Sequence, residues 1–157
     1  MNTKIIASCV TGLVVIGSIG FVKAQTANQK PTRERRVVNL PGRTSSVPIS
    51  PAVVAGDLVF TSGQIGFDPK TNQMPEALEA QAEQVLLNLK AVLEAAGSDM
   101  SRVLKTTVFL ADMNDYAAMN EVYKRHFKED PPARSAVQVA KLPANAKIEI
   151  EAVALLK

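Results

Sequence analysis

Between Pro75 and Ala96 the apolar residues Leu78, Ala82, Val85, Leu86, Leu89, Leu93 and Ala96 recur three and four positions apart. That period draws a single apolar stripe along one side of a helix, and Glu76, Glu79, Glu83 and Lys90 fall outside it. Pro75 suits the first turn and Gly97 the C-terminal stop. Such a helix has to lay its stripe on another apolar layer, so the rest of the chain must supply one.

The remaining segments read as strands and one shorter helix. Val37–Leu40 fits a first short strand. Ala52–Ala55 and Leu58–Thr61 flank Gly56-Asp57, the spacing of a hairpin. Ser62-Gly63-Gln64 ends the second arm of that hairpin, and residues 68–72 form a loop. Val103–Ala111 is β-rich. Asp115–Phe127 fits a second helix with a cap candidate at Asn114 or Asp115, and Pro131-Pro132 closes it. Ser135–Val139 and Ile148–Leu156 are the last two strands. In the final one Ile148, Ile150, Ala152 and Ala154 share one face, while Glu149, Glu151, Val153 and Leu155 share the other. The order β-β-β-α-β-α-β-β predicts an α+β fold: a mixed sheet with two helices on one face. The second sheet face then lies open, and with Val153 and Leu155 on it oligomerisation is expected.

The chain of 157 residues suffices for one core. Its first 24 residues differ from the rest. Lys4 precedes the nearly uncharged apolar stretch Ile5–Val22, and Val22-Lys23-Ala24 before Gln25 resembles a signal-peptidase site. This reads as a cleaved secretory signal, against the alternative of a retained anchor, and places the mature protein in the periplasm or outside the cell. Residues 25–36, with Arg33, Arg35 and Arg36, read as a flexible basic arm, and residues 37–157 as the domain. Cleavage removes the single cysteine, Cys9, which excludes disulfides, thiolate metal sites and a cysteine nucleophile from the mature chain. It also removes Lys4 and Lys23, so the formal charge falls from +3 to +1. With 4% aromatic residues and no Trp, this gives no sign of a nucleic-acid partner.

Few side chains suggest chemistry. No phosphate-binding glycine loop, HExxH or G-x-S-x-G motif is present. The single histidine, His126, follows Lys124 and Arg125 late in the second helix and reads as a surface residue. This sets aside Ser-His-Asp hydrolysis and a histidine-based metal site. Arg134, approached through Pro131-Pro132, could grip a carboxylate with two prongs. It could also be a structural arginine paired with Glu149 or Asp130, and spacing alone favours that pairing. Glu149 and Glu151 project from an otherwise apolar strand, where desolvation raises a carboxyl pKa toward the range useful for proton transfer. Either could instead pair with a cation at a subunit boundary, the preferred reading for Glu151. Ser62 and Asn120 are polar residues with no distinguishing signal of their own.

Taken in order, several segments resemble the RidA family of reactive-intermediate deaminases. They are Ser62-Gly63-Gln64-Ile65 with Asp68-Pro69-x-Thr71, Gln84-Val85-Leu86-x-Asn88-Leu89-Lys90-Ala91 with Glu94-Ala95-Ala96-Gly97, and Val103-x-Lys105-Thr106-Thr107-Val108-Phe109-Leu110. Asn120-Glu121-Val122-Tyr123, Pro132-Ala133-Arg134-Ser135 and Ile148-Glu149-Ile150-Glu151-Ala152 complete a match that runs from about Pro48 to Ala154. The resemblance implies a chorismate-mutase-like α+β fold and a homotrimer with three clefts between subunits. It implies hydrolysis of 2-aminoacrylate-type enamines or imines to 2-keto acids and ammonia, with no cofactor and no metal. It assigns Arg134 to the substrate carboxylate, Glu149 to the attacking water and its protons, and Ser62 and Asn120 to the cleft lining. Where the family often carries a cleft tyrosine this chain has Ile49, and where it often carries a cysteine it has Ala136. The first change makes the cleft more apolar and is expected to alter substrate preference or rate. Two other functions compete: a holdase-like or ligand-binding trimer that uses the cleft without turnover, and an endoribonuclease, which the charge and sparse aromatics disfavour.

Overall fold

The computed structural model describes residues 34–40 and 47–157, so the expected signal 1–24 and residues 25–33 of the expected arm lie outside the described residues. Among the described residues seven strands and two α-helices follow in the order β1 (Arg35–Val38), β2 (Ala52–Ala55), β3 (Leu58–Thr61), β4 (Gln64–Ile65), α1 (Leu78–Ala96), β5 (Val103–Leu110), α2 (Tyr116–His126), β6 (Ala133–Gln138) and β7 (Ile148–Leu155). They form one mixed sheet ordered β1-β2-β3-β7-β5-β6, with β4 pairing on β7 beyond the end of β3. Only β5 and β6 run parallel, and α2 is the crossover that joins them.

Strand β7 lies between β3 and β5 and alternates as its sequence requires. Ile148, Ile150, Ala152 and Ala154 are buried, and the intervening residues are partly or fully exposed. The buried row joins Leu78, Ala82, Val85, Leu86, Leu89, Val92 and Leu93 of α1 and Met119, Val122 and Tyr123 of α2 in one core. Polar side chains of α1 serve its surroundings. Asn88 donates to the carbonyls of Ile65 and Phe67, at 3.0 and 2.8 Å. Gln81 donates to Pro75 and accepts from the Lys147 amide, tying the helix start to the entry of β7.

Several expected boundaries move. The first strand begins at Arg35, two residues earlier than expected, so Arg35 and Arg36 belong to the sheet. The Arg36 guanidinium donates to the Ala96 carbonyl at the end of α1, 3.0 Å away. Helix α1 starts at Leu78 rather than at Pro75, because the chain at Ala77 is still extended. It ends as expected, with Gly97 at φ 91°, a left-handed cap that closes on Glu94 and Leu93. Helix α2 is not capped by Asn114 or Asp115. A 3-10 turn precedes it, and the Asp112 carboxylate accepts the Asn114 amide that starts this turn. Gln64-Ile65 forms a separate short strand instead of ending the hairpin.

The sheet face away from the helices carries Phe60, Val137 and Leu155, 44%, 43% and 39% exposed. They surround Val153 and the two glutamates of β7. This is the open, partly apolar face that the alternation of the last strand predicted.

Candidate active site

Glu149 sits on the open face, paired in register with Ile65 of β4 and Phe109 of β5. Its carboxylate packs against the backbone of Gly63, so close that a methyl group added there would collide with Oε1. Gly63 is therefore a space requirement of the glutamate, a role that no sequence pattern marks. Burial, and secondly the neighbouring Glu151 charge, push the Glu149 carboxyl above its ordinary value. No Lys, Arg or His lies within ion-pair distance of it among the described residues. The same holds for Glu151 among the described residues of one chain; its expected pairing was with a cation at a subunit boundary.

Ser62 and Ile49 lie on the Glu149 side. With Gly63, Leu40, Val47, Phe67 and Asp68 they line an open depression of about 700 Å³. Ser62 commits its hydroxyl hydrogen to the Ser50 carbonyl at 2.7 Å. Ile49 is exposed and presents hydrocarbon to the cavity.

Arg134 lies elsewhere. On β6 it pairs with Thr106, which pairs in turn with Ala152, so its side chain shares the helix-covered face. There the guanidinium rests over the Tyr123 ring at 4.6 Å and the Tyr116 ring at 5.5 Å. Its Nη2 donates to the Tyr116 hydroxyl at 3.1 Å, and its Nη1 points at the Met119 sulfur at 3.7 Å. A 2.7 Å hydrogen bond between the Tyr123 hydroxyl and buried Thr106 Oγ1 fixes the lower ring. The pairing of Arg134 with Glu149 or Asp130 that spacing favoured does not occur. Glu149 is on the opposite face, and no carboxylate is within 4 Å of the guanidinium among the described residues. Asn120 shares α2 with Tyr116 and Tyr123, and its partly buried side chain makes no hydrogen bond among the described residues.

The five expected site residues thus fall into two groups. Ile49 and Ser62 line the depression whose Gly63 packs against Glu149, while Arg134 lies on the edge strand β6 and Asn120 on α2. Three residues of strand and two strand spacings separate the Arg134 and Glu149 backbones, about 10 Å in each direction. The sheet itself stands between their side chains. Within one chain they cannot hold one small molecule.

His126 departs from its expected place on the surface. Its side chain is 13% exposed, and Nε2 lies 2.9 Å from Oε1 of Glu83, whose Oε2 also accepts from Arg125 at 3.0 Å. Helix packing draws it against α1, where it links the two helices away from both groups of site residues. The aromatic support of Arg134 was missed. Tyr116, Met119 or Asn120, and Tyr123 recur at helical spacing and mark one face of α2, but nothing in the sequence shows that β6 brings Arg134 beneath them. Among the described residues no group of three or more His, Cys, Asp or Glu side chains could hold a metal ion.

The family model described as Endoribonuclease L-PSP matches residues 43–156. Human 2-iminobutanoate/2-iminopropanoate deaminase is 46% identical over 123 residues, covering 77% of this chain and 90% of the human protein. Reactive Intermediate Deaminase A of Arabidopsis thaliana chloroplasts is 50% identical over 110 residues, 69% of this chain and 59% of the plant protein. Among solved structures, E. coli TdcF with bound serine superposes with a TM-score of 0.72 at 41% identity, over 78% of this chain and 99% of that one.

The raised Glu149 carboxyl can be tested directly. In a ¹³C NMR titration it should protonate above the ordinary glutamate range, and Glu151→Gln should lower its midpoint by removing a like charge. A Glu149 midpoint that Glu151→Gln leaves in place would show that Glu151 contributes nothing.

Proposed function

Because the chain belongs to the Endoribonuclease L-PSP family, which includes the RidA deaminases, we propose that it hydrolyses 2-imino acids and their enamine tautomers to 2-keto acids and ammonia, at sites completed between copies of the chain. The observation that carries this reading is Arg134, held against Tyr116, Met119 and Tyr123 yet paired with no carboxylate among the described residues. A fixed, unpaired guanidinium is a receptor for an anionic group, and a carboxylate matches its fork. The bound serine of TdcF is a small carboxylate of this kind in a relative. Glu149, with its pKa raised by burial and by the neighbouring Glu151, supplies the second requirement, a carboxylate that is a stronger base than an exposed glutamate.

The chemistry follows from these two groups. Arg134 fixes the substrate carboxylate and so sets the position of C2. Glu149 accepts a proton from water as the oxygen bonds to C2, and passes that proton on to the imine nitrogen, which leaves a neutral carbinolamine and a free carboxylate. The hydroxyl proton is then relayed through Glu149 or water to the amine nitrogen, and the C2–N bond breaks to release ammonia as the C2–O bond becomes a carbonyl. An enamine enters the same route after protonation at C3. Holding substrate and water in place supplies much of the acceleration, and no covalent nucleophile is required. Since Arg134 and Glu149 occupy opposite faces of one sheet, the cleft needs a neighbouring copy. A homotrimer offers three equivalent clefts and covers the exposed Phe60, Val137 and Leu155. Ile49 and its apolar neighbours shift the preference toward imines with hydrocarbon side chains. The link between His126 and Glu83 leaves the one histidine poorly placed as a general base for RNA cleavage.

Added to a pyridoxal-phosphate-dependent dehydratase reaction, the protein should accelerate keto-acid release. Arg134→Ala and Glu149→Gln should each lower kcat/KM by roughly a hundredfold, the scale of a lost charged hydrogen bond or a lost general base. Equal rates for wild type and Arg134→Ala would contradict the reading. Residues 1–24 are further proposed to direct export and to be removed. The protein recovered from the periplasm or medium should then begin at Gln25, whereas full-length chain confined to the cytosol would overturn export.

A further inference from the structure

We infer that Tyr116 is a specificity-determining residue, its hydroxyl donating a hydrogen bond to the same substrate carboxylate that Arg134 binds; this rests on the carboxylate-binding role proposed for Arg134. A guanidinium carries donors only. In the 3.1 Å contact between Arg134 Nη2 and the Tyr116 hydroxyl, the tyrosine oxygen must therefore be the acceptor. Its own hydrogen is left over, and no acceptor takes it among the described residues. The hydroxyl is thus a donor set beside a cation, and Tyr116 is 40% exposed, so a ligand can reach it.

The other hydroxyls near the expected site residues are not equivalent. That of Tyr123 is bonded to Thr106 Oγ1, and the residue is 6% exposed, so its ring serves as a floor for the guanidinium. That of Ser62 is committed to the Ser50 carbonyl, and Ile49 has none. An anion seated on Arg134 meets the free hydrogen of Tyr116 at its flank. The two carboxylate oxygens, which share one negative charge and are both acceptors, satisfy the guanidinium and the hydroxyl together. A carboxamide presents one acceptor and a donor, leaving the hydroxyl or the guanidinium facing an N–H. Tyr116 therefore sharpens selection for free 2-imino and 2-keto acids over their amides.

The test compares wild type and Tyr116→Phe, using the full chain as produced. The variant keeps the ring under the guanidinium and removes only the hydroxyl. Binding of 2-oxobutanoate and of 2-oxobutanamide is measured by calorimetry or NMR, turnover of the imine is followed separately, and a thermal melt checks folding. The expected result is a loss of roughly ten- to a hundredfold in affinity for the acid, the scale of one hydrogen bond to a charged group. Little change is expected for the amide, so the acid-to-amide preference falls, and the imine KM rises with kcat nearly unchanged. An unaltered acid-to-amide preference in Tyr116→Phe would overturn the inference whatever the turnover. Selective loss of acid binding in a wild-type background without turnover would sustain it and overturn the deaminase reading instead. Wild type that neither binds 2-oxobutanoate nor turns over imine would overturn both.

Discussion

Strand β7 couples the folding of this chain to its chemistry. Its even-numbered residues from Ile148 to Ala154 are buried beneath α1 and α2, and that burial sets the register against β3, β4 and β5. A slip of one residue would expose the isoleucines and drive Glu149 and Glu151 into the core. The hydrophobic requirement that holds the helices on the sheet is thus the same one that places both glutamates on the other face. Each buried aliphatic side chain contributes about 1.5–3 kcal/mol, so the position of the glutamates is enforced by far more than their own interactions.

Arg134 is positioned by a different kind of force. Its supports are two aromatic rings, one hydroxyl and one thioether, none of which carries a formal charge. A carboxylate partner would have fixed the guanidinium as firmly but would have cancelled the charge that the proposed substrate is to meet. The aromatic seat fixes the geometry and leaves the charge in force. Across the sheet, Glu149 shows the complementary case: no cation pairs with it among the described residues, and burial and a like-charged neighbour favour its protonated form relative to an exposed glutamate.

Much of the architecture was legible because it rests on periodicity. The stripe of α1, the alternation of β7 and the Gly56-Asp57 hairpin each announce themselves within a few residues, and the structure has all three. The site was legible only through resemblance. Arg134 read alone pointed to an ion pair, since sequence spacing cannot show which face of the sheet a side chain takes. Gly63 and Tyr116 were silent because their roles arise from contacts with Glu149 and Arg134, 86 and 18 positions away. His126 misled for a related reason: its basic neighbours are exposed, but the helix turn carries its own ring toward Glu83.

The central claim is that Arg134 of one copy and Glu149 of another form each site. Arg134→Ala and Glu149→Gln chains, each nearly inactive alone, can be coexpressed in equal amounts so that mixed trimers assemble. In a closed three-fold ring every mixed trimer regains one intact cleft, and random mixing predicts about a quarter of wild-type activity. Activity no greater than the sum of the two separate variants would contradict a site shared between copies.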